Sequence, residues 1–248
     1  MSRQLHKLTN QSGFSLIELM IAMTLGLTLM AGATQIMTST RQSFRFNEGM
    51  TVVQENGRYA INLLERNIRL TGYPAENSNT LSSAFSFDTA NIADATHFDS
   101  LSVQYEAIPA DVCTGTATPT GIAAPTAAVR NHRFDVTANS LRCGGNPLVD
   151  GIDAMQIQYG IDTDADSIPN LFVNATDVIA GITNPGTPDW NNVISIRVAI
   201  LVNSINQIQA ATNRTYVVLD RAIPFNDGLA RRVFTTTIPL RNRAISNV

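Results

Sequence analysis

The chain has 248 residues and a formal net charge of −3; 44% of its residues are hydrophobic and 15% are charged. This composition is typical of a folded protein rather than a disordered one, and it leaves no basic surplus for direct nucleic-acid binding. Three histidines and two cysteines offer little material for a zinc site.

A short basic leader, residues 1–13, precedes an apolar run that has no charged residue from position 19 to position 40. A run of that length can cross a hydrocarbon core of roughly 30 Å as a helix. No small-residue cleavage site follows the run, so the arrangement is the reverse of an ordinary secretory signal. We therefore expect the leader to stay cytoplasmic and be removed, the apolar helix to be kept, and the rest to be exported.

The junction resembles a class III (type IV prepilin) signal in Gly13, the aromatic Phe14, the apolar Leu16 and Ile17, and Glu18. The resemblance implies that a prepilin peptidase cuts after Gly13 and methylates the new amino group of Phe14. It also implies a single-pass protein of the bacterial inner membrane that later reaches the pilus or cell surface. A plain N-terminal anchor, in which Glu18 is incidental, is the alternative.

Glu18 interrupts the apolar segment, where a carboxylate costs on the order of 2.5–3.5 kcal/mol on insertion scales. Such a group is rarely found there without a partner. In pilin-like proteins the partner is the free N-terminal amine of a neighbouring subunit, so the resemblance gives Glu18 a role in subunit assembly. A protonated Glu18 near the membrane interface is the alternative.

The helix is expected to continue from residue 41 to about Leu70, because this stretch lacks proline and repeats apolar residues at helical spacing. A glycine–tyrosine–proline sequence at 72–74 is a strong stop signal. We expect one helix with a membrane half (14–40) and an amphipathic half (41–72). Glycines should be its weak points, at Gly26, Gly32, Gly49 and Gly57.

The remainder, residues 73–248, is predicted to be a β-rich periplasmic globular domain. Alternating apolar and polar residues predict strands at 101–105, 155–161, 194–202, 216–219 and 233–240. Turn-like residues 224–228 separate the last two strands, and long loops are expected at 75–97, 110–130 and 162–192. A long helix packed on a following antiparallel sheet gives an α+β fold, which is the pilin architecture.

The two cysteines, Cys113 and Cys143, both lie downstream of the apolar run. If this part is exported to an oxidising periplasm, they should form a disulfide. Such a bridge stabilises by about 3–4 kcal/mol in the chain-entropy account. Two unpaired buried thiols are the alternative.

Three carboxylates alternate at Asp162, Asp164 and Asp166, a spacing that can wrap a hard cation such as Ca²⁺. The stretch departs from an EF-hand loop, because Ser167 stands where that loop has glycine and Val173 where it has glutamate. A calcium site and a solvated acidic loop tip both stay open, and no other cofactor is expected.

Serine-hydrolase, zinc-protease and P-loop signatures are missing from the sequence, so we expect no enzyme activity. His97 and His132 stand isolated and are expected to be solvated. Trp190 is expected to be a packing residue ahead of its strand.

Several blocks of sequence are similar to the PilW family of type IV minor pilins. They include residues 54–60 (Gln-Glu-Asn-Gly-Arg-Tyr-Ala) and further blocks at 63–69, 72–73, 151–160, 190–198 and 232–242. The resemblance covers nearly the whole chain, with variable loops between the blocks. It implies a minor pilin that takes part in initiating or assembling type IV pili, in a tip or priming complex.

The partners that this resemblance implies are other minor pilins, the major pilin, the prepilin peptidase and the inner-membrane assembly platform. Retractile type IV pili serve twitching motility, attachment and, in some bacteria, DNA uptake. The J-type minor pseudopilin of type II secretion is related to PilW proteins and is the first alternative. A membrane-tethered binding module, such as an adhesin without a pilus, is the second.

Overall fold

The computed structural model describes residues 13–71, 99–106, 113, 129–186 and 189–244. The chain divides into two compact units, Met1–Phe46 and Asn47–Val248. In chain order, the described helices and strands are α1 (Leu16–Leu70), β1 (Leu101–Glu106), β2 (Val129–Thr137), β3 (Ser140–Cys143), β4 (Asn146–Asp150), β5 (Ile152–Ile161), β6 (Leu171–Val173), α2 (Ala175–Ala180), a 3₁₀ turn (Trp190–Asn192), β7 (Val193–Asn203), β8 (Thr212–Val218), β9 (Arg221–Asp227), β10 (Arg231–Pro239) and α3 (Arg241–Ala244).

Helix α1 is uninterrupted over 55 residues, which confirms the predicted long helix and its end near Leu70. The predicted stop signal at 72–74 lies outside the described residues. Carbonyls at the helix end that lack an intrahelical partner are capped from near the far end of the chain. The side-chain amide of Asn242 donates to the carbonyls of Thr71 at 3.1 Å and Arg69 at 3.3 Å.

The strands form two four-stranded antiparallel sheets and a separate hairpin. One sheet has the order β1-β2-β3-β4, the other has the order β10-β7-β5-β6, and β8 pairs with β9. Tight turns at Ala138–Asn139 and Gly144–Gly145 connect β2, β3 and β4, and all four turn residues have positive φ angles. Such φ values match the twist of a two-residue hairpin, so these strands follow one another as a meander.

Both faces of the central strand β7 are buried, in two separate clusters. Ile196, Val198 and Ile200 pack with α1 residues such as Leu64 and Ile68 in the main core. On the other face, the hairpin closes a smaller cluster that comprises Ala154, Ala199, Leu201, Val218 and Ile223. The α+β fold, with the helix packed on an antiparallel sheet, is therefore as predicted.

A buried arginine joins the hairpin to the central sheet. The guanidinium of Arg231 donates to Asp153 on β5 at 2.5 Å and to both carboxylate oxygens of Asp227 on β9 at 2.6 and 2.7 Å. It also lies 3.7 Å from the ring centre of Phe225. Hydrogen bonding to Arg231 lowers the pKa of Asp227, whereas desolvation by burial raises the pKa of Asp153. Because one guanidinium serves two carboxylates, loss of Arg231 would leave both of them without this cation.

The sequence prediction was wrong in three places within the β-rich domain. Residues 224–228 are not a turn between strands, because most of them lie in β9. The predicted loop 162–192 contains β6, α2 and the 3₁₀ turn. The strands between residues 129 and 150 were not predicted. Most of the expected loops at 75–97 and 110–130 lies outside the described residues.

Candidate assembly site

The predicted processing and assembly residues share one short exposed segment at the start of α1. Gly13, Phe14 and Ser15 precede the helix, and the side chain of Phe14 is 85% exposed. Glu18 lies in the first helical turn and is exposed. Among the described residues, none forms an ion pair with Glu18. The geometry leaves the segment accessible, while the roles of Gly13, Phe14 and Glu18 stay predictions.

The first stretch of α1, residues 16–46, is exposed at every position. It is long and apolar enough to cross a membrane, and none of its most apolar window is buried. A Cβ atom on Gly26 or Gly32 would meet no heavy atom within 4 Å. The uncharged run at 19–40 therefore presents an apolar surface that is exposed at every position in the described structure.

Threonine hydroxyls within the apolar stretch are satisfied by the helix itself. They donate to backbone carbonyls three or four residues earlier, at 2.8–2.9 Å. The donors are Thr24, Thr28, Thr34, Thr38 and Thr40. Because the bilayer core offers no water, such internal hydrogen bonds reduce the cost of placing a hydroxyl there.

The second stretch of α1, residues 47–70, buries one face in the globular unit. Its buried residues are Gly49, Val53, Gly57, Ala60, Leu63, Leu64, Asn67 and Ile68. A Cβ on Gly57 would collide with the ring of Phe234, and one on Gly49 would collide with Ile208. Glycine thus allows close packing at Gly57 against an aromatic ring and at Gly49 against the end of a flexible side chain, and neither position breaks the helix as the sequence had suggested.

The predicted disulfide is confirmed. Cys113 and Cys143 are bonded, with their Cα atoms 5.1 Å apart and a sequence separation of 30. The side-chain amide of Asn146 also donates to the carbonyl of Cys113 at 2.8 Å, which holds the bridge against β4. His132 lies beside the bridge and is only 4% exposed, so the expectation of a solvated histidine is wrong there. His97 lies outside the described residues.

The acidic loop between β5 and β6 brings three carboxylates together. Oxygen atoms of Asp162, Asp164 and Asp166 lie within 4.8 Å of one another. Slight desolvation raises the pKa of Asp162, but hydrogen bonds from the amides of Ser167, Asp164 and Ala165 outweigh it and lower the pKa. Ser167, which replaces the glycine of an EF-hand, has a φ of +67°. The loop could hold a hard cation, and calcium binding stays a prediction.

Two further polar features were not predicted. A cavity of about 90 Å³ is lined mainly by polar side chains, with Asp99 and Gln156 facing Asn174, Thr176 and Arg221. Burial raises the pKa of Asp99 to about 6, against the hydrogen bond from the Ile157 amide and the charge of Arg221, which lower it. The polar residues that line the cavity are far apart in sequence, so no local sequence motif predicts it.

The loop after α2 is held by one carboxylate. Asp189 accepts hydrogen bonds from the amides of Ile182 and Thr183 and from the Thr183 hydroxyl. Burial raises its pKa, but these bonds more than compensate and lower it. The adjacent Trp190 packs edge-to-face on Tyr159, with 5.2 Å between ring centres. Its predicted packing role is confirmed.

Comparison with known proteins gives two family matches. Residues 8–34 match the prokaryotic N-terminal methylation motif, and residues 121–242 match the family described as type IV pilus-assembly protein W, PilW. With the long apolar helix on an antiparallel sheet, the first match defines a type IV pilin-like protein with a prepilin N-terminus. Within that class, the two matches place the chain in the PilW family of type IV minor pilins.

No curated protein matches the sequence significantly. Among solved structures, the type IV-like pilin TTHA1219 from Thermus thermophilus is similar, with 14% sequence identity and a TM-score of 0.42. That match covers 77% of this chain and 97% of the other. The likeness is too weak to carry a functional argument.

Proposed function

We propose that this protein helps to initiate or assemble type IV pili, as one subunit of a small tip or priming complex of minor pilins. The observation that carries the proposal is the first stretch of α1, residues 16–46, which is exposed throughout and begins beside a prepilin junction. An apolar helix that is exposed along its length is suited to pack on lipid and on the helices of neighbours.

Glu18 supplies the recognition step in this proposal. Peptidase cleavage after Gly13 creates a new amine on Phe14, and the carboxylate of Glu18 in one subunit pairs with that amine in its neighbour. Pairing neutralises two charges that are each costly in the bilayer. It also fixes the axial offset between neighbouring subunits. The small residues Gly26 and Gly32 then let neighbouring helix backbones approach closely.

The globular unit faces the periplasm in this proposal, with the basic leader on the cytoplasmic side. The disulfide supports that orientation, since disulfides persist in oxidising compartments. The proposed role is structural rather than catalytic. The partners are other pilin subunits, the prepilin peptidase and the inner-membrane assembly platform, as the PilW family implies.

The test is the amount of pili sheared from cells of a deletion strain, measured beside the wild type and a strain that is complemented with the gene. Loss of pili that the gene restores is the expected result. Normal pili in the deletion strain would contradict a pilus role. Exoprotein release from the same strain would then test the pseudopilin of type II secretion, to which the same junction and helix are suited.

A further inference from the structure

Strand β10 forms a long and regular edge of the central sheet. It pairs with β7 over nine residues, from Arg231 with Asn203 to Pro239 with Ser195, without a shift of register. Pairing on the other side of β7, with β5, is shifted at two points. The opposite edge strand, β6, has only three residues. The two edges of this sheet therefore differ strongly in the backbone surface that they present.

The backbone groups on the outer edge of β10 follow from hydrogen bonds at both ends of the pairing. The Ser204 amide donates to the carbonyl of Ala230 at 2.9 Å, and the Leu240 amide donates to the carbonyl of Ile194 at 2.8 Å. Inward and outward residues alternate along an antiparallel strand. Even-numbered residues of β10 thus bond to β7, and the N–H and C=O groups of odd-numbered residues point away from it.

The outward residues are Arg231, Val233, Thr235, Thr237 and Pro239, and the side chain of Arg231 is held by Asp153 and Asp227. Proline has no N–H to offer, and its position on the outer edge is the one that a sheet tolerates. Within the described part of the chain, β7 is the one strand that pairs with β10. Thr235 and Thr237 are exposed, and Val233 is partly exposed. The outward N–H groups of these three residues therefore have no backbone partner among the described strands.

The middle of this edge lacks the usual devices that prevent strand pairing, although the buried charge of Arg231 and the outward Pro239 lie at its two ends. Edge strands are commonly protected by a bulge, by proline, by an inward-pointing charge or by lysine. From Val233 to Ile238 there is no charged residue and no bulge. Arg232 precedes the open stretch, Arg241 follows it, and both are exposed. A complementary segment would be extended, uncharged in its centre and acidic at its ends.

We propose that the outer edge of β10 receives an extended strand from a different subunit of the pilus complex, which pairs through the backbone of Val233, Thr235 and Thr237. The inference rests on the proposed function, since it needs a neighbouring subunit. The added strand makes the four-stranded sheet five-stranded. Its specificity comes from alternate side chains and from the flanking charges, while the backbone supplies the register.

A second copy of this chain does not suit the edge. Two β10 strands that pair antiparallel and symmetrically are related by a two-fold axis perpendicular to the sheet. Such a pair would bring Arg232 of one copy toward Arg241 of the other at both ends, and like charges opposed across paired strands destabilise the pairing. The acidic ends that this edge favours therefore point to a different subunit.

Substitutions at Thr235 separate backbone pairing from other effects. T235P removes an outward N–H and none of the hydrogen bonds to β7. T235K places a charge within the uncharged stretch from Val233 to Ile238. T235V keeps the outward N–H. L171K places the same charge on the opposite edge. Each variant replaces the wild type in the producing bacterium, and sheared pili are measured. We expect T235P and T235K to lower the amount by about tenfold or more, T235V to lower it much less because it keeps the N–H, and L171K to leave it unchanged.

Folding of each variant is checked by its level in the membrane and by its disulfide on a non-reducing gel. If T235P fails this check, T235K decides, because an exposed threonine tolerates lysine. Wild-type amounts of pili in T235K, or in correctly folded T235P, would overturn the strand-addition proposal. A deletion strain that still makes normal pili would instead overturn the proposed function, so the two failures are distinguishable.

Discussion

The two stretches of α1 contrast in what surrounds them. Residues 16–46 are exposed at every position, whereas the buried residues of α1 all lie between Gly49 and Ile68. Glycine has a different environment in each stretch: Gly32 has open space around it, whereas Gly57 packs against the ring of Phe234. The second stretch is therefore part of the core of the globular unit, and the proposed function assigns the first stretch to lipid and neighbouring subunits.

Removing the disulfide should give the largest effect, and only on the globular unit. We expect the double variant C113S/C143S to lose about 3–4 kcal/mol of unfolding free energy, because the bridge constrains the unfolded chain. Thermal unfolding of the purified full chain in detergent measures the change, and wild type treated with reductant is the control. Residues 16–46 should still hold the variant in the membrane. An unchanged Tm would contradict a structural role for the bridge.

Asp99 should make the globular unit less stable as the pH rises, whereas ordinary acid denaturation lowers stability as the pH falls. Burial raises the pKa of Asp99 in the folded protein to about 6, above the usual aspartate value of 3.8, so folding disfavours the charged form. The contribution of Asp99 to the unfolding free energy is therefore most favourable below pH 4. It falls by about 3 kcal/mol as the pH rises through 6.

The variant D99N removes this titration and keeps an oxygen for the Ile157 amide. Its unfolding free energy should exceed that of the wild type more at pH 7 than at pH 4, when both are measured with urea in detergent. D177N, an exposed aspartate on α2, is the matched control. An equal difference between D99N and wild type at both pH values would show that Asp99 titrates normally.

Substitution of glycine by alanine should have different effects on stability in the two stretches of α1. We expect G57A to lose about 1–3 kcal/mol, because its new methyl group meets the Phe234 ring and the packing must shift. G32A should not lose stability, since alanine favours the helix and meets nothing. Thermal unfolding of both variants gives the comparison. Equal Tm values would mean that the two stretches do not differ in packing.

Calcium should have the smallest effect, if the loop of Asp162, Asp164 and Asp166 binds it. Weak binding of the kind found in extracellular modules would raise the Tm of the full chain by about 1–3 °C at millimolar calcium. Titration calorimetry gives the binding heat directly, with D164N as the test variant and D177N as the control. No calcium heat with the wild type would end the hypothesis.

Long periodic elements were predictable from the sequence, because their signal accumulates over many residues. Helix α1, with its apolar run and helical spacing, ends where expected, and the alternating strand at 194–202 corresponds to β7. The class of protein was equally accessible, since the junction from Gly13 to Glu18 is a contiguous motif.

Features that depend on distant contacts were not predictable. Pro224 and the residues after it indicate a turn by composition, yet they lie in β9, which pairs only with β8 among the described strands. A strand with a free edge can accommodate proline, and no local signal reveals that edge. The cap from Asn242 to the end of α1 spans more than 170 residues in sequence. The glycine pair at β3–β4 was a usable hairpin signal that the strand prediction missed.

The most direct test of the central claim, that residues 16–46 serve assembly through Glu18, is the amount of sheared pili in a strain that carries E18A. E48A is the matched control, because Glu48 is also exposed and lies just beyond this stretch. The account predicts that E18A reaches the inner membrane normally but lowers pili by at least about tenfold, as loss of a pairing worth more than 1.4 kcal/mol requires. It predicts wild-type pili for E48A. Wild-type pili with E18A would contradict assembly through Glu18 and favour a tethered binding module.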